Sequence, residues 1–345
     1  MLGLMRASCS PLAAAEDPLL ANSELSFSEQ LYPYGFPVLV SSNSPAVIEA
    51  ARFNWGGVRR ASDERPLEIR VVAVPGGRGC PPAPVFRARK NLLAAVSDAR
   101  NFWCADLQEG FASAWLSASA LEHPGYVRYH VLEGMAYCML DALRVVIIHA
   151  ACVARNGSGA LLAGDSGAGK SSLAYACARR GWTYCSDDAS ALVRRAEDRI
   201  VAGNPRAFRF RPSAGSLFPE FRGGRASRRT GGKPTVEVPL SSLPAIRTAH
   251  RVSVDCVFFL NRQAGAREAA QALPVAPEAA FERLLHCPWP GDLKVRTEHE
   301  AALRRLAGAR LFELRYRELD AAVELLESLV ASQPRRARFA AGNEL

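Results

Sequence analysis

Eight consecutive residues, Gly164-Asp-Ser-Gly-Ala-Gly-Lys-Ser171, constrain this chain more than any other feature of its sequence. They fit the pattern G-x-x-x-x-G-K-[ST]. Glycines let the main chain adopt positive φ values that other residues avoid. Successive N–H groups can then turn inward around an anion. Ala160–Ala163 before the loop reads as a strand, and Ser172–Arg180 after it as a helix closed by Gly181. A helix that starts at the loop adds the positive end of its dipole. In that context Gly164, Asp165, Ser166, Gly167, Ala168, Gly169, Lys170 and Ser171 are expected to cradle the phosphates of ATP. Lys170 would reach the β- and γ-phosphates, and the Ser171 hydroxyl would hold Mg²⁺. An exposed lysine in so glycine-rich a turn has no packing role to explain it.

The flanking residues supply further candidates. Val145–Ala154 (VVIIHAACVA) reads as one buried strand carrying His149. Asn156-Gly157 then signals a tight hairpin into the strand that feeds the loop. Downstream, Trp182–Cys185 reads as a strand ending in Ser186-Asp187-Asp188. Strands parallel to the one that feeds the loop end on the same sheet edge, so the two carboxylates should face the phosphates. One can position Mg²⁺ or its water, and the other can take a proton from an attacking hydroxyl. His149, taken alone, reads equally well as a satisfied core histidine.

The block from His149 to Asp188 resembles the catalytic domain of the HPr kinase/phosphorylase family. That family carries a His on a strand, a hairpin, a GDSGxGKS loop, a helix ending in Arg-Gly and a strand ending in Asp-Asp. Here His149 lies 21 residues before Lys170, and Asp188 lies 18 after it. The resemblance implies an α/β fold: a P-loop kinase domain of HPr kinase/phosphoenolpyruvate carboxykinase type, with a smaller N-terminal α/β domain. It implies catalytic roles for Lys170 and His149, with His149 near the transferred phosphate. It makes Ser171 a Mg²⁺ ligand and Asp188 the acceptor of the substrate serine's proton. Ser172 stands where the family usually has Glu, and Gly203–Phe221 contains no E-I-R-G-x-G segment. The chain therefore looks more like the divergent HPr-kinase-related proteins, some of which phosphorylate a ribosomally made precursor peptide. The expected activity is an ATP-dependent serine kinase acting on a small protein or peptide. A binding module that holds ATP without transferring phosphate, and a small-molecule kinase, are the alternatives.

The 345 residues suggest two domains. The expected division is a flexible arm over 1–30, a small α/β domain over 31–130, the kinase domain over 131–332 and a disordered tail over 333–345. Ser44-Pro45 starts a helix that runs to Trp55 and stops at Gly56-Gly57. Leu67–Val74 is a strand, while 85–96 and 102–121 fit strand or helix equally. Leu132, Met135, Met139 and Leu143 share one face of a helix over 131–143. Val252–Leu260 and Leu311–Arg315 read as strands, and Leu319–Leu329 as a final amphipathic helix.

Charge adds a weaker signal. Residues 194–233 hold eleven positive and three negative side chains, leaving +8 of the chain's net +9. With several Pro and Gly, that stretch reads mainly as loops. Arg209-Phe-Arg211 alternates like a strand and places both guanidinium groups on one face, where they could clamp the γ-phosphate or an acidic substrate. Gly231-Gly232-Lys233 could be a lid that carries a second cation. No alternation of aromatic and basic residues marks a nucleic-acid-binding sheet, and no apolar run has membrane-spanning length. Nine cysteines without a C-x-x-C pair suit buried thiols in a reducing compartment. The expected location is cytoplasmic, with no nucleic-acid or membrane partner; the sequence leaves homo-oligomerisation open.

Overall fold

The structure, a computed structural model, describes residues 19–20, 23–224, 226–228, 234–263, 265, 267–285 and 293–331. Most of the expected N-terminal arm, Lys233 and the expected tail lie outside the described residues. The chain divides into two compact units, 1–139 and 140–345. Both mix helices with sheets. Among the described residues no helix is long and apolar enough to cross a membrane.

The first unit begins with β1 (Phe27–Leu31), β2 (Val38–Ser42), α1 (Pro45–Trp55) and β3 (Leu67–Val74). Ser44 is extended at the N-cap, and Pro45 opens α1 with the φ a helix needs. Val47, Ile48, Ala51 and Trp55 recur at helical spacing and are buried. A crossover through α1 makes β2 and β3 parallel. The segments that fitted strand or helix equally are β4 (Val85–Arg89), β5 (Leu92–Asp98), β6 (Asn101–Asp106) and β7 (Phe111–Ser117), an antiparallel meander. The sheet order is β1-β2-β3-β7-β6-β5-β4. Val40, Ile69, Trp103, Ala105, Ala112 and Leu116 alternate onto one face and are buried. Short α2 (Ala118–Leu121) and α3 (Pro124–Tyr126) lead into a π-helical turn over Val127–Leu132 and then α4 (Glu133–Leu143). Trp103 Nε1 donates to the His130 carbonyl at 2.9 Å, tying that turn to the buried sheet face.

In the second unit, the stretch expected as a single strand over 145–154 is two: β8 (Val145–Ile148) and β9 (Ala150–Arg155). The chain changes partners at His149. β8 pairs with β12 (Ser190–Val193), whereas β9 pairs with β10 (Ser158–Ala163) and β11 (Thr183–Ser186). Asn156 (φ 53°) and Gly157 (φ 86°) form the tight turn between β9 and β10. α5 (Lys170–Arg179) starts at the lysine itself, two residues before the expected start, and returns the chain to β11.

Within 194–224 and 226–228, the described part of the arginine-rich stretch, strands and turns replace the expected loops. These are β13 (Ile200–Ala202), β14 (Ala207–Phe210), two short 3-10 turns and β15 (Ala226–Arg228). Phe208, Phe210 and Phe218 pack around Tyr175 of α5 with ring centroids 4.8–5.5 Å apart, supplying the apolar burial that orders the segment. β16 (Pro234–Pro239) joins β14 and β15 in a three-stranded sheet.

β17 (Arg251–Arg262) is the spine of the larger sheet, parallel to β10 on one side and to β19 (Arg310–Tyr316) on the other. β18 (Ala270–Pro274) flanks β19. α6 (Pro277–Leu284) and α7 (Leu293–Ala307) pack on one side of this sheet, with Ala302, Leu303 and Leu306 in its core. On the other side, α8 (Leu319–Ala331) contributes Ala322, Val323, Leu326 and Val330 to the core that also takes up α5.

Two glycines of the hairpin separate backbone freedom from space. Gly157 has positive φ, yet a methyl group there would meet nothing within 4 Å. Gly159 would drive a methyl into the Ser253 carbonyl and Val252 of β17. Gly157→Ala is expected to cost about 1 kcal/mol from its φ alone. Gly159→Ala is expected to cost about 2–3 kcal/mol by overpacking. Urea unfolding of the two variants checks the order.

Candidate functional site

Strand direction assembles the site. β10 and β11 both run antiparallel to β9, so they point the same way, as do β17 and β19. The ends of these strands therefore share one sheet edge. Gly164 leaves β10 at that edge, and Asp187-Asp188 leave β11 there. β9 runs oppositely and starts at the same edge, Ala150 opposite Ala163, so His149 immediately before it belongs to the edge too.

Gly164, Gly167 and Gly169 all have positive φ, from 99° to 153°. Gly169 is the position where a side chain is excluded twice, because an added methyl would also run into the Tyr316 hydroxyl. That hydroxyl donates to the Ala168 carbonyl at 2.9 Å. Burial pushes the Tyr316 phenol up to about 12, so it keeps its proton and remains a donor. Lys170 is not the exposed lysine the sequence suggested: it is only 7% exposed. Its Nζ donates to the carbonyls of Gly164 (2.7 Å) and Asp165 (3.1 Å), which bends the loop back over the helix start.

The two aspartates are placed differently. Asp187 is 3% exposed. Its Oδ2 accepts the backbone N–H of Arg209 at 2.5 Å, and its carbonyl accepts the Ser171 hydroxyl at 3.5 Å. The Tyr184 phenol beside it donates to the Ala207 carbonyl at 2.9 Å and is raised far above its usual value, mainly by burial and then by the Asp187 charge. Asp188 keeps 44% of its side chain exposed, and the His149 side chain keeps 59%. His149 Nδ1 lies 3.1 Å from the Asp188 carbonyl and 3.2 Å from Asp188 Oδ1. Both partners are acceptors, so Nδ1 must carry the hydrogen. The ring thus orients the exposed carboxylate, and the core-histidine reading of His149 does not fit its exposure.

Arg211 Nη2 donates to Ser166 Oγ at 2.9 Å, laying a guanidinium across the glycine loop. Arg209 reaches the site through its backbone, and Lys233 lies outside the described residues. Strand direction thus brings His149, the loop 164–171, Asp187 and Asp188 to one edge, and hydrogen bonds to Asp187 and Ser166 set the Arg209 backbone and the Arg211 guanidinium beside them. Tyr316 was not among the sequence candidates. Its only signal was its place one residue beyond a strand expected to end at Arg315.

Oxygen donors for a divalent cation are present as the Ser171 hydroxyl and the Asp187 carboxylate. Among the described residues no three His, Cys, Asp or Glu side chains cluster as a self-sufficient metal site. A Mg²⁺ ion held by one or two protein oxygens, completed by waters and phosphate oxygens, fits that donor set.

No family model matches the chain, and no curated protein does. Among solved structures it is similar to the Hpr(Ser) kinase/phosphatase from Coxiella burnetii, with 14% sequence identity and a TM-score of 0.30, over 54% of this chain and 88% of that one. The fold and site define a mixed α/β protein with several sheets and a glycine loop at the shared edge of its larger one.

Packing at Gly169 is testable. Gly169→Ala is expected to destabilise the protein by about 2–3 kcal/mol, combining positive-φ strain with the clash. Adding Tyr316→Phe removes the clashing oxygen. The double variant should recover all but about 1 kcal/mol of conformational strain, measured by thermal or urea unfolding.

Proposed function

We propose that this protein is an ATP- and Mg²⁺-dependent kinase that transfers the γ-phosphate to a serine-type hydroxyl of a small protein or peptide. The observation that carries the reading is the meeting of an exposed, histidine-oriented carboxylate with a glycine loop and a lysine at one sheet edge.

The loop amides and the start of α5 bind the phosphates of ATP, and Lys170 leaves its two loop carbonyls to meet phosphate oxygens. Ser171 and Asp187 would hold Mg²⁺, which would supply positive charge to offset that of the phosphates. The N–H of Arg209 fixes the Asp187 carboxylate for that task. Asp188 is the general base. It takes the proton of the acceptor hydroxyl as the oxygen attacks, and His149 holds the carboxylate in the required orientation. Arg211 exchanges Ser166 for the transferred group and balances its charge. Exposure of Asp188 and His149 gives a peptide hydroxyl access. The family resemblance of residues 149–188 supports a serine acceptor.

The test is phosphate transfer from γ-labelled ATP to candidate peptides and small proteins. Asp188→Asn is expected to lower transfer about 10²–10⁴-fold while leaving ATP affinity nearly unchanged. Lys170→Ala is expected to weaken ATP binding itself about 10- to 100-fold, as loss of a charged hydrogen-bond donor does. Undiminished transfer by Asp188→Asn would remove the base assignment. Tight ATP binding without transfer to any acceptor would favour a non-catalytic nucleotide-binding module, and transfer confined to metabolites a small-molecule kinase.

A further inference from the structure

The seven-stranded sheet of the first unit is buried on one face and open on the other. Along β6 the pattern alternates strictly: Asn101, Trp103 and Ala105 are buried, while Phe102, Cys104 and Asp106 are partly exposed. On the open face the register sets Phe102 beside Trp115, Cys104 beside Ser113 and Asp106 beside Phe111. Phe102 and Trp115 stack at 5.1 Å with planes 14° apart. These side chains line a cleft of about 900 Å³, whose lining runs from Arg100, just before β6, to Glu109, just after it. The six residues of β6 give the cleft a length of about 20 Å. A contiguous apolar surface of this kind, bounded by charge, marks an interaction site.

Hydrogen bonding narrows what can lie there. The main-chain groups of β6 and β7 pair with each other and with their neighbours β5 and β3. The floor of the cleft therefore offers a ligand almost no backbone partner. An extended peptide laid flat on it would bury its own N–H and C=O groups unpaired, which costs free energy. An α-helix brings its backbone already satisfied and needs only an apolar stripe. A helix is also the layer that an open sheet face lacks.

The two ends of the cleft set a direction. Arg100 and Glu109 are both exposed, and among the described residues neither is in an ion pair. Asp106, at the Glu109 end, is already engaged. Its Oδ1 accepts from the Asn91 side chain at 2.8 Å and from the N–H groups of Gln108 and Glu109. The Glu109 carboxylate suits the positive N-terminal end of a helix, and the Arg100 guanidinium suits the carbonyls at its C-terminal end. A uniformly acidic ligand would be repelled at one end of the cleft, and a uniformly basic one at the other.

We infer that this face docks an amphipathic α-helix of a partner protein, about thirteen residues long, with its N-terminus at Glu109 and its C-terminus at Arg100. Apolar residues at i, i+3, i+4 and i+7 of that helix cover Phe102, Phe111 and Trp115. Cys104 and Ser113, smaller than the rings on either side of them, leave room for its central side chains. The docking does not depend on the phosphate-transfer reading, whose residues all belong to the second unit.

The probe is a hydrocarbon-stapled, acetylated and amidated peptide of about fourteen residues, with leucines at i, i+3, i+4 and i+7 and glutamines elsewhere. Its direction is then set by its dipole rather than by charged side chains. Fluorescence anisotropy with the full-length protein should show saturable binding. Cys104→Arg, which puts a charge in the middle of the cleft, should weaken it about tenfold or more. A benzophenone in the first turn of the peptide should cross-link to residues 106–110, and one in the last turn to residues 98–101, as read by mass spectrometry. In the variant Arg100→Glu/Glu109→Arg the two patterns should exchange. Both positions are exposed, so circular dichroism of this variant should match the wild type, and it decides the matter even where Cys104→Arg fails to fold. Absence of saturable binding, undiminished binding by folded Cys104→Arg, or cross-links that ignore the charge exchange would overturn the proposal. So would peptide affinity that falls as protein concentration rises, which would make a second copy the occupant.

Discussion

Four strands of the larger sheet, β11, β10, β17 and β19, point the same way, and the pairing of β9 between β11 and β10 does not disturb this. Strands with a common direction deliver the residues at their C-terminal ends to a common edge. The glycine loop, the Asp187-Asp188 pair and Tyr316 all leave or end such strands. His149 arrives at the same edge by the opposite route, as the residue before an antiparallel strand. Reversing the direction of one strand would send its residue to the far side of the sheet.

Around that edge, hydrogen bonds convert proximity into fixed geometry. Tyr316 holds Ala168 from below, Lys170 draws two loop carbonyls inward, and Arg211 crosses the loop to Ser166. Asp187 is buried and accepts a backbone N–H, whereas Asp188 stays more exposed beside the His149 ring. Two neighbouring carboxylates thus sit in contrasting surroundings, the pattern by which one site separates two tasks. On the proposed reading, the buried one serves the cation and the exposed one the proton.

The loop, its hairpin and the helix after it were legible because glycine, Asn-Gly and periodic apolar residues impose local geometry. Strands β3, β17 and β19 and helices α1 and α8 were legible for the same reason. The meander β4–β7 was not, because Val85–Val96 and Phe102–Leu121 carry apolar residues in patterns that fit either period, and pairing across strands decides between them. The break at His149 was hidden because VVIIHAACVA reads as continuous β-former. The break arises from a change of partner strands, which no single stretch encodes. The order within 194–224 was masked by its arginines, since Phe208, Phe210 and Phe218 find their apolar partner, Tyr175, on a helix that precedes them by more than thirty residues. Tyr316 was missed because its role depends on which edge β19 ends at.

The central claim is that the glycine loop and the acidic pair face one nucleotide. Hydrogen exchange of the backbone amides, measured with and without ADP and Mg²⁺, addresses it most directly. The account predicts that amides of Gly164–Ser171 and of Asp187–Asp188 slow together on addition of the nucleotide, with the same concentration dependence. Protection confined to one of the two segments, or to neither, would contradict it.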